Sequence, residues 1–272
     1  MTVAPGRCAP VLLTVIVATI LAVRPVSAAP VCMLIVDVAT NETLVRSGDG
    51  CDTPNSPAST FKLALSIMGF DSGILTGAHD PVWPYKDEYD TPNEQWKKTV
   101  DPTMWLEESI VWFSQVLTRA MGMRTFQAYV DKMGYGNRDL SGQPGRNDGL
   151  TDAWLSSSLR ISPSAQTAFL RRLLRRELPV SASAMERTIA IVPTFQVEGG
   201  WTVFGKTGSG FQLRADGSRN TDQQFGWFIG WAQKGNRNVV FARLNQDDAP
   251  NPAPGGVRAR NGFLAELPAL LP

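Results

Sequence analysis

Apolar and polar positions change their spacing several times along the chain, and each change marks an element. "MLIVDVATNETLVRSGDG" (33–50) is an apolar run, a polar turn at Thr40 to Glu42 and a returning run, the pattern of a β-hairpin. "TFKLALSIMGFDSGIL" then has helical periodicity, whereas "HDPVWPYKDEYDTPNEQW" is crowded with Pro, Asp and aromatics and reads as a loop over a surface. Helical spacing returns in "PTMWLEESIVWFSQVLTRAMG" and in "RTFQAYVDKMGYGN", which terminates at Gly134 to Asn137. "SPSAQTAFLRRLLRREL" (Ser162 to Leu178) opens on Ser-Pro and runs for several amphipathic turns. Strand signals follow in "TVFGKTG", "FGWFIGWAQ" and "NVVFARLNQ", separated by the turn-like "GSRNTDQQ" and "KGNRN". "RARNGFLAELPALL" closes the chain as an amphipathic helix.

The order hairpin, helices, three strands, helix predicts a mixed α+β fold. Strands from both chain ends make one largely antiparallel sheet with flanking helices, and the middle of the chain forms a helical lobe beside it. The sheet lobe takes about 29–58 and 190–272, the helical lobe about 59–189, as one compact catalytic unit.

Composition narrows the function. With 272 residues, 43% hydrophobic content and 19% charged residues, the chain buries a full core. A net charge of +1 gives no electrostatic case for nucleic acid or an anionic membrane surface. The one basic run, "RRLLRR" (Arg171 to Arg176), reads as a solvated helix face. Arg7, the apolar "VLLTVIVATILAV" (Val11 to Val23) and the small residues of "VSA-A" (Val26 to Ala29) form a secretory leader over 1–28. As a helix that apolar core spans about 20 Å, short of the roughly 30 Å hydrocarbon layer. Export to the periplasm makes the remaining even pair, Cys32 and Cys51, a predicted disulfide across the hairpin, closing about twenty residues for about 3 kcal/mol.

The candidate chemistry begins at "SPASTFKLAL" (Ser56 to Leu65), where Ser59 precedes Lys62 by three residues at the start of an apolar helix. A lysine carried into such a helix is costly unless it is paired, neutralised or used. Positions i and i+3 share a helix face, so Lys62 projects beside the Ser59 hydroxyl and is the candidate base for it. A helix starting at Ser59 also aims backbone N–H groups at the reacting centre. Histidine-based alternatives are poor. The single histidine, His79, lies in the Pro-rich loop, and a histidine-based zinc centre lacks ligands. "KTG" (Lys206 to Gly208) adds a cation, a hydroxyl and a glycine that permits close approach.

"PASTFK", "SIV" (Ser109 to Val111), "YGN" (Tyr135 to Asn137), "DAW" ending at Trp154 and "KTG", in that order, resemble the motif set of the class D, oxacillin-hydrolysing serine β-lactamases. The resemblance covers essentially the whole mature chain and implies the β-lactamase/transpeptidase-like fold, with the active site between sheet and helical lobe. It implies that Lys62 reacts with carbon dioxide and works as an N-carboxylated lysine. In that scheme it activates Ser59 for acylation by a small-molecule β-lactam, then water for deacylation. Trp154 donates its indole N–H to the carbamate, and Val111 and Leu155 form the dry wall beside it. Ser109 relays a proton to the lactam nitrogen, and the backbone N–H groups of Ser59 and Ser209 form the oxyanion hole. Lys206, Thr207 and Gly208 meet the substrate carboxylate together with Arg258 of "GVR", Arg260 being the neighbouring alternative. Tyr135, Gly136 and Asn137 support the architecture. A penicillin-binding sensor domain and a D-alanyl peptidase or transpeptidase share the S-x-x-K and KTG framework and stay open, as do monomer and homodimer.

Overall fold

A computed structural model describes residues 1–2, 30–89 and 91–272. Apart from its first two residues, the leader expected over 1–28 lies outside the described residues. Six strands form one antiparallel sheet in the order β2-β1-β6-β5-β4-β3. They are β1 (Pro30–Asp37), β2 (Thr43–Ser47), β3 (Thr194–Val197), β4 (Trp201–Leu213), β5 (Arg219–Lys234) and β6 (Arg237–Gln246). The helices are α1 (Lys62–Asp71), α2 (Pro102–Glu108), α3 (Val111–Met121), α4 (Met123–Met133), α5 (Gly149–Asp152), α6 (Pro163–Leu174), α7 (Ala182–Ala190) and α8 (Gly255–Leu270). The mixed α/β, largely antiparallel architecture is the expected one.

The central strands read as continuous apolar runs because both faces of the sheet are covered. Successive side chains point to opposite faces. Met33, Ile35, Val203, Phe228 and Phe241 therefore meet Phe263 and Leu267 of α8 on one side. Leu34, Val36, Trp227, Ile229 and Leu244 face the larger core on the other side, which holds α1 and Phe169 and Leu170 of α6. The hairpin β1–β2 forms as read, and Cys32 and Cys51 are joined across it with Cα atoms 4.9 Å apart. The arginines of "RRLLRR" find local partners, Arg171 Nε donating to the Val38 carbonyl at 2.9 Å and Arg172 to that of Met133 at 2.9 Å.

Four features depart from the sequence expectations. An extra edge strand, β3, precedes β4, so four strands follow the helical region; at four residues with alternate positions exposed, it is too short to register as a run. "GSRNTDQQ" is not all turn, because β5 begins at Arg219; its first residues are polar since this end of the β4–β5 hairpin projects beyond the core. Helix α7, which packs against α1, is an element that the expected layout lacks. The helical run 102–121 is broken at Ser109, which adopts φ 62°, ψ 33° and ends α2.

Candidate active site

The turn that carries Ser59 is over-determined. Ala58 sits at φ 47°, in the region that side chains other than glycine rarely adopt, and opens a short 3-10 turn (Ala58–Phe61) that runs directly into α1. Ser59 therefore lies in this turn, three residues before the first residue of α1, rather than at the start of the α-helix as expected. Thr60 Oγ1 donates back to the Pro57 carbonyl at 2.7 Å and accepts from Gln166 Nε2 at 3.1 Å, pinning the turn to α6. Lys62, the first residue of α1, is 0% exposed, and its Nζ stands 3.0 Å from Ser59 Oγ. Burial, and secondarily the positive charge of Lys206, push the Lys62 amine well below its ordinary value. It has no carboxylate partner among the described residues.

Strand β4 supplies the second wall. β3 pairs only with Trp201 to Phe204, so beyond Gly205 that edge of β4 is open beside the Ser59 turn. The approach is close enough to demand glycine: a Cβ on Gly208 would lie 2.9 Å from the Pro57 carbonyl oxygen and 3.1 Å from the Thr60 nitrogen. Lys206, 2% exposed, donates to Ser109 Oγ at 2.9 Å and to the Thr207 carbonyl at 3.1 Å. Burial, with the charge of Arg260 second, brings its amine down to about 7. The left-handed conformation at Ser109 turns its hydroxyl toward Lys206, which is why the helical run breaks there. Thr207 and Ser209 alternate onto the other face, where Ser209 Oγ accepts from Gly256 N at 2.9 Å.

The third wall follows α5. Trp154 is fully buried, packed on Phe61 and Phe126 with ring centroids at 5.5 and 6.1 Å, and its Nε1 has no hydrogen-bond partner among the described residues. Leu155 packs half-buried against the core, and Val111 is half-buried at the start of α3. The YGN segment braces this wall from behind. Asn137 Nδ2 donates to the Ser158 carbonyl at 2.9 Å, and its Oδ1 accepts from Arg160 N at 3.0 Å. A Cβ on Gly136 would lie 2.2 Å from the Arg160 carbonyl oxygen. Tyr135 is buried against Phe61, 5.0 Å between centroids.

One residue stands differently from expectation. The Arg258 guanidinium is engaged by both carboxylate oxygens of Asp247, so its fork is occupied inside the protein. The charge of Arg260 bears on Lys206; its guanidinium lies 5.4 Å from the Phe195 ring centroid, and among the described residues its side-chain hydrogen bonds go only to Asn261. The exposed His79 ring faces the half-buried Asp101 carboxylate at 2.7 Å rather than any serine. One positioning residue escaped the sequence reading: Ser56 Oγ donates to the Trp154 carbonyl at 2.8 Å and accepts from Ser156 N at 2.9 Å, and its own carbonyl takes the Trp227 indole N–H at 2.9 Å. It ties the Trp154 wall to the Ser59 turn and the sheet, and only its Ser-Pro context hinted at a structural role.

An activatable serine, a buried lysine beside it, a second serine held by a second buried lysine and an open strand edge form a site for serine acyl transfer. In agreement, residues 31–267 match the model of the penicillin binding protein transpeptidase domain. The chain is 46% identical over 241 residues to the β-lactamase OXA-9 of Klebsiella pneumoniae, covering 88% of each, and 35% identical to OXA-1 of Escherichia coli, covering 88% of this chain and 84% of that one. Among solved structures, that of the OXA-427 class D β-lactamase superposes with a TM-score of 0.81 at 43% identity, covering 88% of this chain and 98% of the other. The chain belongs to the class D serine β-lactamases, a branch of that transpeptidase-domain family.

Proposed function

We propose that this enzyme opens penicillin-type β-lactams in the periplasm through an acyl-enzyme on Ser59. The observation that carries the reading is the presence of a buried Lys62 amine, 3.0 Å from Ser59 Oγ and lowered in pKa by burial, together with a fully buried Trp154 N–H that has no acceptor among the described residues. Desolvation leaves the Lys62 lone pair free to add to carbon dioxide, and an indole can only donate. The residues present fit a carbamate on Lys62: Lys62 would hold it, Trp154 Nε1 would donate to it, and Val111 and Leu155 would shield it. When bound, that group supplies an anionic base.

Ser59 Oγ attacks the lactam carbonyl carbon while its proton leaves toward the Lys62 side. The backbone N–H groups of Ser59 and Ser209 receive the developing oxyanion. As the C–N bond breaks, Ser109, held by Lys206, passes a proton to the departing nitrogen. Water entering on the Lys62 side then cleaves the ester. The substrate carboxylate meets Lys206, Thr207 and the guanidinium of Arg260, a fork suited to bidentate pairing, since Arg258 is held by Asp247.

The test is turnover of a chromogenic cephalosporin by purified protein with bicarbonate supplied. Sustained hydrolysis is expected, with Lys62→Ala retaining at most slow acylation. Wild-type protein that acylates once and stops would refute the reading in favour of a sensor, and preference for a D-Ala-D-Ala peptide would favour a peptidase. Osmotic-shock fractionation checks the location.

A further inference from the structure

Helix α8 begins without a cap of its own. Pro254 at its N-cap position offers no side-chain acceptor, and a first-turn backbone donor, Gly256 N–H, goes instead to Ser209 Oγ on β4 at 2.9 Å. The first turn is pressed onto strand backbone at the same place. A Cβ on Gly256 would lie 2.6 Å from the Gly208 carbonyl oxygen, and one on Gly226 would lie 2.0 Å from the Gly255 carbonyl carbon. The placement of Gly208 and Ser209 is thus mechanically joined to the placement of the α8 start.

One ion pair fixes that start. Asp247, 6% exposed, immediately follows β6, and its backbone N–H donates to the Gln224 carbonyl at 2.8 Å. Arg258 Nη1 donates to Asp247 Oδ1 at 2.8 Å, and Nη2 donates to Asp247 Oδ2 and, at 3.4 Å, to Gln224 Oε1. Its Nε donates to the Ala253 carbonyl at 3.2 Å. The same loop is closed by Gln224 Nε2 donating to the Asn251 carbonyl at 3.2 Å and Ala253 N donating to Asn251 Oδ1 at 3.0 Å. A single guanidinium therefore gathers the end of β6, a residue of β5 and the loop 247–254 at the entrance to α8.

We infer that the Arg258–Asp247 pair is a positioning clamp for the acylation step: through Gly256 and Ser209 it sets where the Ser209 backbone N–H points. This rests on the oxyanion role given to Ser209 under the proposed function. Arg258 and Arg260 then divide two tasks within one helix turn, Arg258 holding the strand edge and Arg260 facing the substrate carboxylate.

The experiment compares Asp247→Asn, Arg258→Lys and Arg260→Ala with wild-type protein in rapid-mixing acylation by a chromogenic cephalosporin and by its methyl ester. Asp247→Asn keeps the side-chain shape and removes the charge; its acylation rate constant falls by about tenfold to a hundredfold for acid and ester alike. Arg258→Lys keeps the charge but loses the fork, and falls less. Arg260→Ala raises KM for the acid only. The reversed pair, Asp247→Arg with Arg258→Asp, recovers part of the loss of the single variants. The clamp is refuted if Asp247→Asn and Arg258→Lys acylate at the wild-type rate, or raise KM for the acid alone, or lose activity only in proportion to the fraction unfolded in a parallel melt. If Asp247→Asn does not fold, Arg258→Lys carries the comparison. Wild-type protein that never acylates overturns the parent reading instead, a result separable from every variant outcome.

Discussion

Replacing Trp154 with phenylalanine removes the hydrogen-bond donor that the proposed function assigns to the Lys62 carbamate, while keeping an aromatic ring against Phe61 and Phe126. In protein whose lysine is a free amine, the Trp154 N–H is buried with no partner among the described residues, a condition that costs about 1–3 kcal/mol. Deleting it offsets the loss of packing from the smaller ring, about 1–2 kcal/mol. The Trp154→Phe variant should therefore melt close to the wild type in carbon-dioxide-free buffer. On the proposed reading carboxylated protein is different, because there the variant would lose a hydrogen bond to an anion, worth about 1.5–3 kcal/mol. At about 1.4 kcal/mol per tenfold, the bicarbonate needed for half-maximal turnover should rise by about tenfold to a hundredfold. Titrating bicarbonate against steady-state hydrolysis gives one readout, and the carbamate carbon-13 resonance of protein equilibrated with labelled bicarbonate gives another that does not depend on activity. Wild-type and variant proteins with the same bicarbonate midpoint and the same carbamate occupancy would refute the pairing of Trp154 with Lys62.

Three further outcomes follow from the geometry. Replacing Cys32 and Cys51 together by serine should cost about 3 kcal/mol and lower Tm by about 6–12 °C, read by calorimetry, and an unchanged Tm would mean that the crosslink does not constrain the unfolded chain. Lys206 titrates at about 7 when folded, against its ordinary 10.5 when unfolded. The unfolded chain therefore binds more protons between pH 7 and 10.5, so this residue's destabilisation is complete below pH 7 and is relieved as pH rises through that window. The difference in unfolding free energy between wild type and Lys206→Met should shift in favour of the wild type from pH 7 to 10, and a flat difference refutes the depressed value. Gly208→Ala forces β4 away from Pro57 and Thr60, so it should cost about 1–3 kcal/mol in stability and about a hundredfold in acylation rate; wild-type kinetics would show that the close approach is dispensable.

What the sequence made legible was whatever local spacing dictates. The Ser59–Lys62 pair follows from three-residue helical spacing alone, and the 3-10 turn preserves that juxtaposition. The hairpin and the cysteine pairing follow from two apolar runs and a polar turn. Ser109 was misread because nothing in "LEESIVWF" marks a break: no glycine or proline interrupts it, and the left-handed residue is held by a contact with Lys206, 97 positions away. Exposed strand ends were misread for a related reason, since a polar stretch such as 219–224 is set as strand by its partner on β4 rather than by its own composition.

The arginines show where pattern alone stops. Ala259, Phe263 and Leu267 are buried four apart on α8, so they define the stripe facing the sheet. At roughly 100° per residue, Arg258 and Arg260 must flank that stripe on opposite sides. One side looks toward Asp247 after β6, the other toward Phe195 on β3. Which arginine finds the acid and which finds the Phe195 ring depends on the strand order β6-β5-β4-β3 beneath the helix. That order is settled by long-range pairing, so two arginines indistinguishable in "GVRAR" acquire different partners only after the sheet has assembled.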